Sequence, residues 1–290
     1  MKNNQLVKVL GVSLLSVVAL AAVNQEVSAA ESTDTKGRVS FVEPGGPTDP
    51  NGPFALIKPG TYDEWITIKE KEGKQTLDGK FRFSFVPNFE FGSVEVSSTD
   101  SYHNLQHTIP YQSYDPVNEK KMFNENDGRD IKHLPPFIQV VNLRGTNAEY
   151  KVSVKAGKFI GKTNGKELEN TTIQIKDFES RNNVLNQDNE NASASSILEA
   201  PVAKLPTDGY LSLRSDDSLE IMKTVKGQGK KTDGSASSLV FQKNYDNTKD
   251  YETDFIKTSD SVRLFVPASD APTIGEDYSA DVTWTLEDTI

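Results

Sequence analysis

Few side chains in the sequence suit catalysis or metal binding by type and spacing. The three histidines are His103, His107 and His133, and the first two have the i, i+4 spacing of a metal-binding pair on a helix. The residues between them lack a helical pattern, and no HExxH glutamate accompanies them. We therefore predict that all three histidines lie in surface loops. The absence of cysteine excludes thiol catalysis and cysteine-ligated zinc.

Acidic residues are concentrated in two segments whose oxygen atoms would suit calcium. The first segment contains Asp246, Asp250, Glu252 and Asp254, and the second is the Asp188–Asn191 run. Neither has the spacing of an EF-hand loop, so no metal site is predicted, although calcium binding by these loops stays open. No Gly-x-Ser-x-Gly elbow is present, and no two carboxylates stand out as a glycosidase pair. We predict no catalytic residue and no cofactor.

Surface aromatic side chains are the remaining candidates for ligand contact. Sugar rings stack on aromatic faces through their C–H edges, and aromatic residues in polar loops are suited to this role. Four tyrosines have polar sequence neighbours, and we predict that they face a ligand: Tyr102, Tyr111, Tyr114 and Tyr245.

A C-terminal segment with strict alternation is the clearest element of the sequence. Along Tyr278–Leu286, apolar side chains that include Trp284 and Leu286 alternate with Ser, Asp and Thr. A period of two predicts a half-buried β-strand, so we expect Trp284 to be buried. A Trp on such a face belongs to a core more often than to a ligand platform.

Other alternating segments have the same character and predict the fold class. Lys80–Val86 should place Phe81, Phe83 and Phe85 on one face, and Phe137–Leu143 should form a hairpin with Glu149–Lys155. Loops are expected at residues 100–135 and 180–196. The result is an all-β fold, a β-sandwich of Ig-like or jelly-roll-like type with many short strands and long loops. Further predicted strands are Gly37–Val42, Glu64–Lys69, Gly92–Ser98, Thr171–Asp177, Leu205–Leu213, Ser218–Val225, Ser237–Gln242 and Ser261–Val266.

The N-terminal residues 1–29 have the features of a secretory signal peptide. A basic start precedes the apolar run Leu14–Val23, and Val27-Ser28-Ala29 offers small residues for cleavage before Ala30. The run is shorter than a membrane span requires, and no second apolar stretch follows, so the mature protein should have no membrane span. Residues 30–290 are expected to form one domain, with a Pro/Gly-rich loop at residues 43–62.

The negative net charge of the chain argues against several classes of binding partner. A formal net charge of −10 and a pI near 5.0 argue against nucleic-acid binding, which requires clustered Lys and Arg. The same charge repels anionic lipid and teichoic acid, whereas steering toward cationic groups remains compatible with it.

Three sequence blocks, in order, resemble those of the WxL-domain surface proteins of Gram-positive bacteria. Phe83–Gly92 resembles the family's V-P-N-F-x-F-G block, and Pro136–Thr146 resembles its P-x-x-Q-V-x-D-x-R-G-T block. Tyr278–Leu286 resembles the C-terminal strand that ends in Trp-Thr-Leu, so Trp284 and Leu286 form one WxL motif. At the first motif the sequence departs from the family, because Tyr150-Lys151-Val152 stands where Trp-x-Leu is expected.

The resemblance implies a secreted, non-catalytic protein that attaches non-covalently to peptidoglycan or another wall polymer and assembles with other WxL-cluster surface proteins. Leu205–Gly209 has the wrong residue order for a sortase site, so covalent anchoring is not expected. Two alternatives stay open. One is a structural or adhesive subunit that binds partner surface or host proteins, and the other is a wall glycan hydrolase with an unrecognised carboxylate pair.

Overall fold

Short strands joined by turns make up most of the computed structural model, which describes residues 56–74, 79–115, 122–199, 208–252 and 259–289. Helical structure in these ranges is limited to α1 (Gly229–Thr232) and two 3₁₀ turns, Glu70–Glu72 and Ala268–Asp270. The predicted all-β, sandwich-like fold class is confirmed. In chain order the strands are β1 (Leu56–Ile57), β2 (Trp65–Ile68), β3 (Gly73–Lys74), β4 (Phe81–Pro87), β5 (Ser101–Asn104), β6 (Ile109–Ser113), β7 (Lys132–Leu134), β8 (Phe137–Asn142), β9 (Glu149–Ala156), β10 (Phe159–Gly161), β11 (Glu167–Leu168), β12 (Thr172–Ile175), β13 (Glu179–Asn182), β14 (Leu198–Glu199), β15 (Leu211–Leu213), β16 (Leu219–Thr224), β17 (Ser235–Val240), β18 (Val262–Val266), β19 (Tyr278–Ser279) and β20 (Val282–Thr289).

Antiparallel pairing arranges the described strands in five sheets. The largest has the order β13-β17-β8-β4-β3, and three sheets of four strands have the orders β14-β16-β9-β20, β15-β12-β18-β5 and β1-β2-β6-β7. A small sheet of three strands has the order β11-β10-β19. Many neighbours are distant in sequence, so the sheets are built largely from long-range pairs.

In the part of the chain that the structure describes, the five-stranded sheet separates two hydrophobic cores. Ile138 and Leu239 on one face belong to the larger core, which β9, β12, β16 and β18 also line. Phe137 and Val240 on the other face belong to a second core with residues of β1, β2, β6 and β7. Every residue of β17 is therefore buried, unlike the half-buried strand that simple alternation would predict.

A β-bulge in β4 divides its three phenylalanines between the two cores. The pairing of β4 with β8 shifts register between Phe83 and Phe85, and a bulge turns the side chains that follow it to the other face. Phe81 and Phe83 accordingly pack on the larger core, whereas Phe85 lies in the second. The prediction that all three share one face was wrong for Phe85.

Strands β8 and β9 exist as predicted but do not pair as a hairpin. β8 pairs with β17 and β4, while β9 pairs with β16 and β20 in a different sheet. The connection carries the chain from one sheet to the other through positive φ angles at Gly145 and Asn147. Since both edges of β8 are already taken by other strands, β9 has no free edge there.

Further differences concern the predicted loops and strand ends. Residues 92–98 form no strand, and Val96 is exposed. The segment predicted as a long loop, 100–135, contains β5, β6 and β7, and the segment 180–196 contains most of β13. The C-terminal alternating segment is split into β19 and β20, which pair with different partners.

Several predicted features lie outside the described residues. They are the signal peptide 1–29, the strand Gly37–Val42, most of the Pro/Gly-rich loop, the start of Leu205–Leu213, and Asp254. Within the described ranges, no helix has the length and apolar character needed to cross a membrane.

Candidate functional site

The outer face of the sheet β15-β12-β18-β5 presents an exposed aromatic side chain. Tyr102 on β5 is 53% exposed and lies opposite Phe265 of β18, which lies opposite Thr172 of β12. The two rings stack, with centroids 5.1 Å apart and an interplanar angle of 28°. Because side chains alternate along a strand, Leu264 points the other way and is buried in the larger core.

Arg263 lies two residues before Phe265 on the same face and holds the aromatic residues together. Its Cζ atom is 4.1 Å from the ring centroid of Tyr102 and 3.3 Å from that of Tyr210. Its Nε atom donates to Gln174 Oε1 at 2.7 Å, and its Nη2 atom donates to Asp208 Oδ2 at 2.8 Å. Stacking and two charge-assisted hydrogen bonds fix the guanidinium in one orientation.

Polar side chains next to the aromatic residues are bonded to one another. Lys176 lies 2.6 Å from Asp260, and Gln174 Nε2 donates to Ser212 Oγ at 3.2 Å. Burial lowers the pKa of Lys176, but hydrogen bonding and charge attraction to Asp260 and Tyr210 together outweigh burial and raise this pKa above its ordinary value. We define the aromatic face as Tyr102, Phe265, Arg263, Gln174 and Tyr210; its chemistry is stacking combined with amide hydrogen bonding.

The other three predicted ligand-facing tyrosines are buried, so the expectation that they are exposed was wrong. Tyr111 and Tyr245 are 1% and 2% exposed in the second core, and Tyr114 is 9% exposed. Burial raises the pKa of Tyr114 to about 12 and raises the pKa values of Tyr111 and Tyr245 as well. For Tyr111 a signal was present, because it alternates with Ile109 in β6.

The four residues at the WxL motif positions lie on two neighbouring strands and face the larger core. Tyr150 and Val152 of β9 are fully buried, whereas Trp284 and Leu286 of β20 are partly buried. Leu286 is opposite Val152 and Trp284 is opposite Val154. Burial raises the pKa of Tyr150 to about 12. The prediction that Trp284 is buried holds only in part, because β20 is the edge strand of its sheet in the described structure.

Contacts among the three sequence blocks converge on the C-terminal strand. The ring of Phe89, from the first block, lies 6.1 Å from that of Trp284. Arg144, from the second block, forms an ion pair with Asp288, and its Cζ atom lies 3.7 Å from the ring centroid of Phe81. The blocks therefore hold β20 against the rest of the sandwich.

Gln139 of the second block has a structural role that the sequence did not reveal. Its buried amide Oε1 accepts from the Ile57 backbone N–H at 3.3 Å and from Ser84 Oγ at 3.0 Å. Its Nε2 donates to the Ile57 carbonyl at 2.6 Å and to Ser238 Oγ at 2.9 Å. One side chain thus joins β1, β4 and β17, and all of its strong hydrogen-bonding capacity is used.

The prediction that all three histidines lie in surface loops was wrong for His103, which lies in β5, and for His133, which lies in β7. His107 lies between strands, 3.6 Å from Glu72. In the part of the chain that the structure describes, one set of three potential ligands lies close enough together for a metal ion: His133, Asp250 and Glu252. His133 was not connected with the acidic segment in the sequence because more than a hundred residues separate them.

Comparison with known proteins identifies one family. The family described as "WxL domain surface cell wall-binding" matches residues 28–289. No curated protein and no solved structure matches the chain.

Proposed function

The chain belongs to the WxL domain family of surface proteins that bind the cell wall, and from this we propose that it is a secreted, non-catalytic protein that attaches non-covalently to peptidoglycan. The observation that carries the choice of peptidoglycan is the aromatic face around Tyr102. We assign the wall contact to this face and not to the WxL motif residues, since Tyr150 and Val152 are fully buried.

A glycan strand matches the chemistry of the aromatic face. The exposed Tyr102 ring is supported by Phe265 and Arg263, so a sugar ring stacking on it would order few further side chains, and less conformational entropy would be lost on binding. Gln174 of this face and the neighbouring Ser212 share one hydrogen bond, and the second amide N–H and the hydroxyl group have capacity left for the hydroxyl groups of a glycan.

Electrostatics favours a glycan over the other polymers of a bacterial surface. The chain is acidic, with a net charge of −10, and the cations near the aromatic face, Arg263 and Lys176, are already paired with Asp208 and Asp260. Polyanions such as teichoic acids would meet repulsion, whereas glycan hydroxyl groups would not.

Binding of the full-length mature protein to purified sacculi stripped of other proteins tests the proposal. Tyr102→Ala should weaken binding by about tenfold, equivalent to about 1.4 kcal/mol, when binding is scored on the folded fraction. Tyr102→Phe should retain binding because the stacking surface remains. Tyr62→Ala, at a tyrosine that is 37% exposed elsewhere, is the matched control. Equal binding by wild type and Tyr102→Ala would contradict the role of the aromatic face.

The mode of attachment and the lack of catalysis need separate measurements. Concentrated salt or a chaotrope should release the protein from intact walls, and no soluble muropeptides should appear when it is incubated with sacculi. Release only after muramidase digestion would indicate a covalent link, and muropeptide production would indicate a hydrolase. Binding to a partner surface protein but not to sacculi would favour the adhesive-subunit alternative.

A further inference from the structure

His133 of β7 has a buried nitrogen atom that faces two carboxylates. Its Nδ1 atom is inaccessible to solvent and has no hydrogen-bond partner among the described residues. The Asp250 Oδ1 atom lies 3.4 Å from Nδ1, and the Glu252 Oε2 atom lies 4.0 Å from it. Asp250 and Glu252 are more exposed, at 43% and 64% of their side chains, so the group opens toward solvent on the carboxylate side.

Backbone hydrogen bonds hold the three residues in this arrangement. The His133 N–H donates to Asp250 Oδ1 at 3.0 Å, and the Tyr251 N–H donates to the His133 carbonyl at 3.1 Å. The Glu252 N–H also donates to Asp250 Oδ1, at 3.1 Å. The Tyr251 ring, between the two acidic residues in sequence, stacks on buried Tyr245 with centroids 5.9 Å apart. The geometry is therefore imposed by the fold and not by the acidic side chains alone.

From this geometry we propose that His133, Asp250 and Glu252 bind a zinc ion. One potential ligand atom from each residue lies within 4.8 Å of the others. Ligand atoms in a tetrahedral zinc site stand about 3.3–3.6 Å apart, given bonds of about 2.0–2.2 Å. A small shift of the exposed Glu252 side chain would bring its carboxylate oxygen, now 4.0 Å from His133 Nδ1, into this range. Water would take the fourth position.

Charge and ligand type select zinc over the calcium that the acidic segment alone would suggest. Two carboxylates and a neutral imidazole carry two negative charges, which a divalent cation balances. Calcium takes oxygen ligands, whereas an imidazole nitrogen suits zinc and its transition-metal neighbours. The ion would join β7 to residues 250–252 across 117 residues of chain, in a protein that has no cysteine for a disulfide.

Calorimetric titration of the chelator-treated full chain with zinc chloride, alongside a thermal melt, tests the site. We expect one zinc ion per chain and a Tm that rises with zinc concentration, because a ligand bound only by the folded state stabilises it. Calcium chloride should produce neither effect. Glu252→Gln and His133→Gln should each lower zinc affinity by about tenfold or more. Glu287→Gln, at an exposed acid on β20, and His107→Gln should not change it.

The outcomes separate a zinc site from an ion pair between His133 and the two acids. Absence of zinc binding, or equal affinity in wild type and Glu252→Gln, would overturn the proposal. Calcium binding as tight as zinc binding would overturn the assignment of the metal. Because Glu252 is largely exposed, Glu252→Gln should fold normally and keeps the test decisive even if His133→Gln proves unstable.

Discussion

At the scale of single residues, solvent exposure distinguishes an aromatic side chain that can contact a ligand from one that packs in the core. Tyr102 presents its ring to solvent, whereas Trp284 packs on Phe89 and Phe241 with centroids 6.1 and 6.3 Å away. Trp284 therefore contributes chiefly to the core, and a defect in wall binding after its replacement would follow from lost stability.

Replacing Trp284 with Ala should destabilise the fold by about 2–3 kcal/mol, less than the about 3–5 kcal/mol of a fully buried aromatic. Trp284→Phe should cost less because most of the packing surface remains. Urea denaturation of both variants measures the difference. Binding to sacculi, scored on the folded fraction, should stay close to that of wild type; selective loss of binding with unchanged stability would instead make Trp284 a ligand platform.

Asp270 should give the protein an acid-sensitive contribution to stability. Burial raises its pKa, but hydrogen bonds from the Thr171 hydroxyl and from Asn170 outweigh burial and bring the pKa below the ordinary Asp value. The unfolded chain thus binds this proton more readily than the folded one. The contribution of Asp270 to the free energy of unfolding is fully present above the pKa of Asp in the unfolded chain, about 3.9. It is lost as the pH falls through the lower pKa of Asp270 in the folded protein.

The variant Asp270→Asn isolates this effect, because an amide cannot accept the same set of bonds from Asn170 and Thr171. At pH 7 its free energy of unfolding should be about 1–3 kcal/mol lower than that of wild type. Between pH 5 and pH 2 the free energy of unfolding should fall less for the variant than for wild type. Urea denaturation over that range provides the comparison. Parallel pH curves for the two proteins would contradict the assignment.

At the scale of elements, a connecting segment decides how two sheets join. In the β8–β9 connection, Asp233 accepts the Gly145 N–H at 2.9 Å through Oδ1 and the Asn147 N–H at 2.8 Å through Oδ2. Buried Gly229 at the start of α1 packs directly beneath it. The crossing between sheets is therefore set by contacts from a segment that follows much later in the chain.

Gly229→Ala should destabilise the protein by about 1–3 kcal/mol, the usual cost of overpacking. A Cβ atom at this position would stand 2.0 Å from the Asn147 carbonyl oxygen, so backbone must move. Gly157→Ala is the matched control, since its nearest contact would be at 3.6 Å and it should be tolerated. Thermal melts of both variants test this prediction. Equal Tm values for Gly229→Ala and Gly157→Ala would show that the β8–β9 connection can move to accept the added methyl group.

At the largest scale that the structure describes, the five-stranded sheet has a hydrophobic core on each side, in a chain without cysteine. The aromatic face and the proposed zinc site belong to different parts of this architecture. Tyr102 lies on the outside of the sheet that covers the larger core, and His133 lies in the sheet that covers the second core. A substitution in the aromatic face should therefore leave zinc affinity unchanged, and a substitution in the proposed zinc site should leave binding to sacculi unchanged, because substitutions at distant sites act independently.

The proposal of secretion predicts a processed protein. Cleavage after Val27-Ser28-Ala29 should yield a chain that begins at Ala30, because small residues precede the cut in signal peptides. Mass spectrometry of wall extracts and culture supernatant measures the N-terminus. Recovery of the surface protein with residues 1–29 still attached would contradict the assignment of a signal peptide.

Local periodicity in the sequence was sufficient to predict several strands and the fold class. β12, β16 and β18 appear where alternation placed them, and Tyr150, Val152 and Val154 share a buried face. Alternation succeeds because side chains on a strand have a period of two, so the sequence itself records which face is apolar.

Tertiary structure alone decided which strands pair and which side chains meet. The separation of β8 from β9, the bulge that turns Phe85 away from Phe83, and the burial of Tyr245 all depend on partners distant in sequence. The same is true of Tyr102, whose exposure depends on β18, and of His133, which meets Asp250 only after folding. No local pattern contains this information, because a residue's own neighbours do not determine which remote strand will cover it.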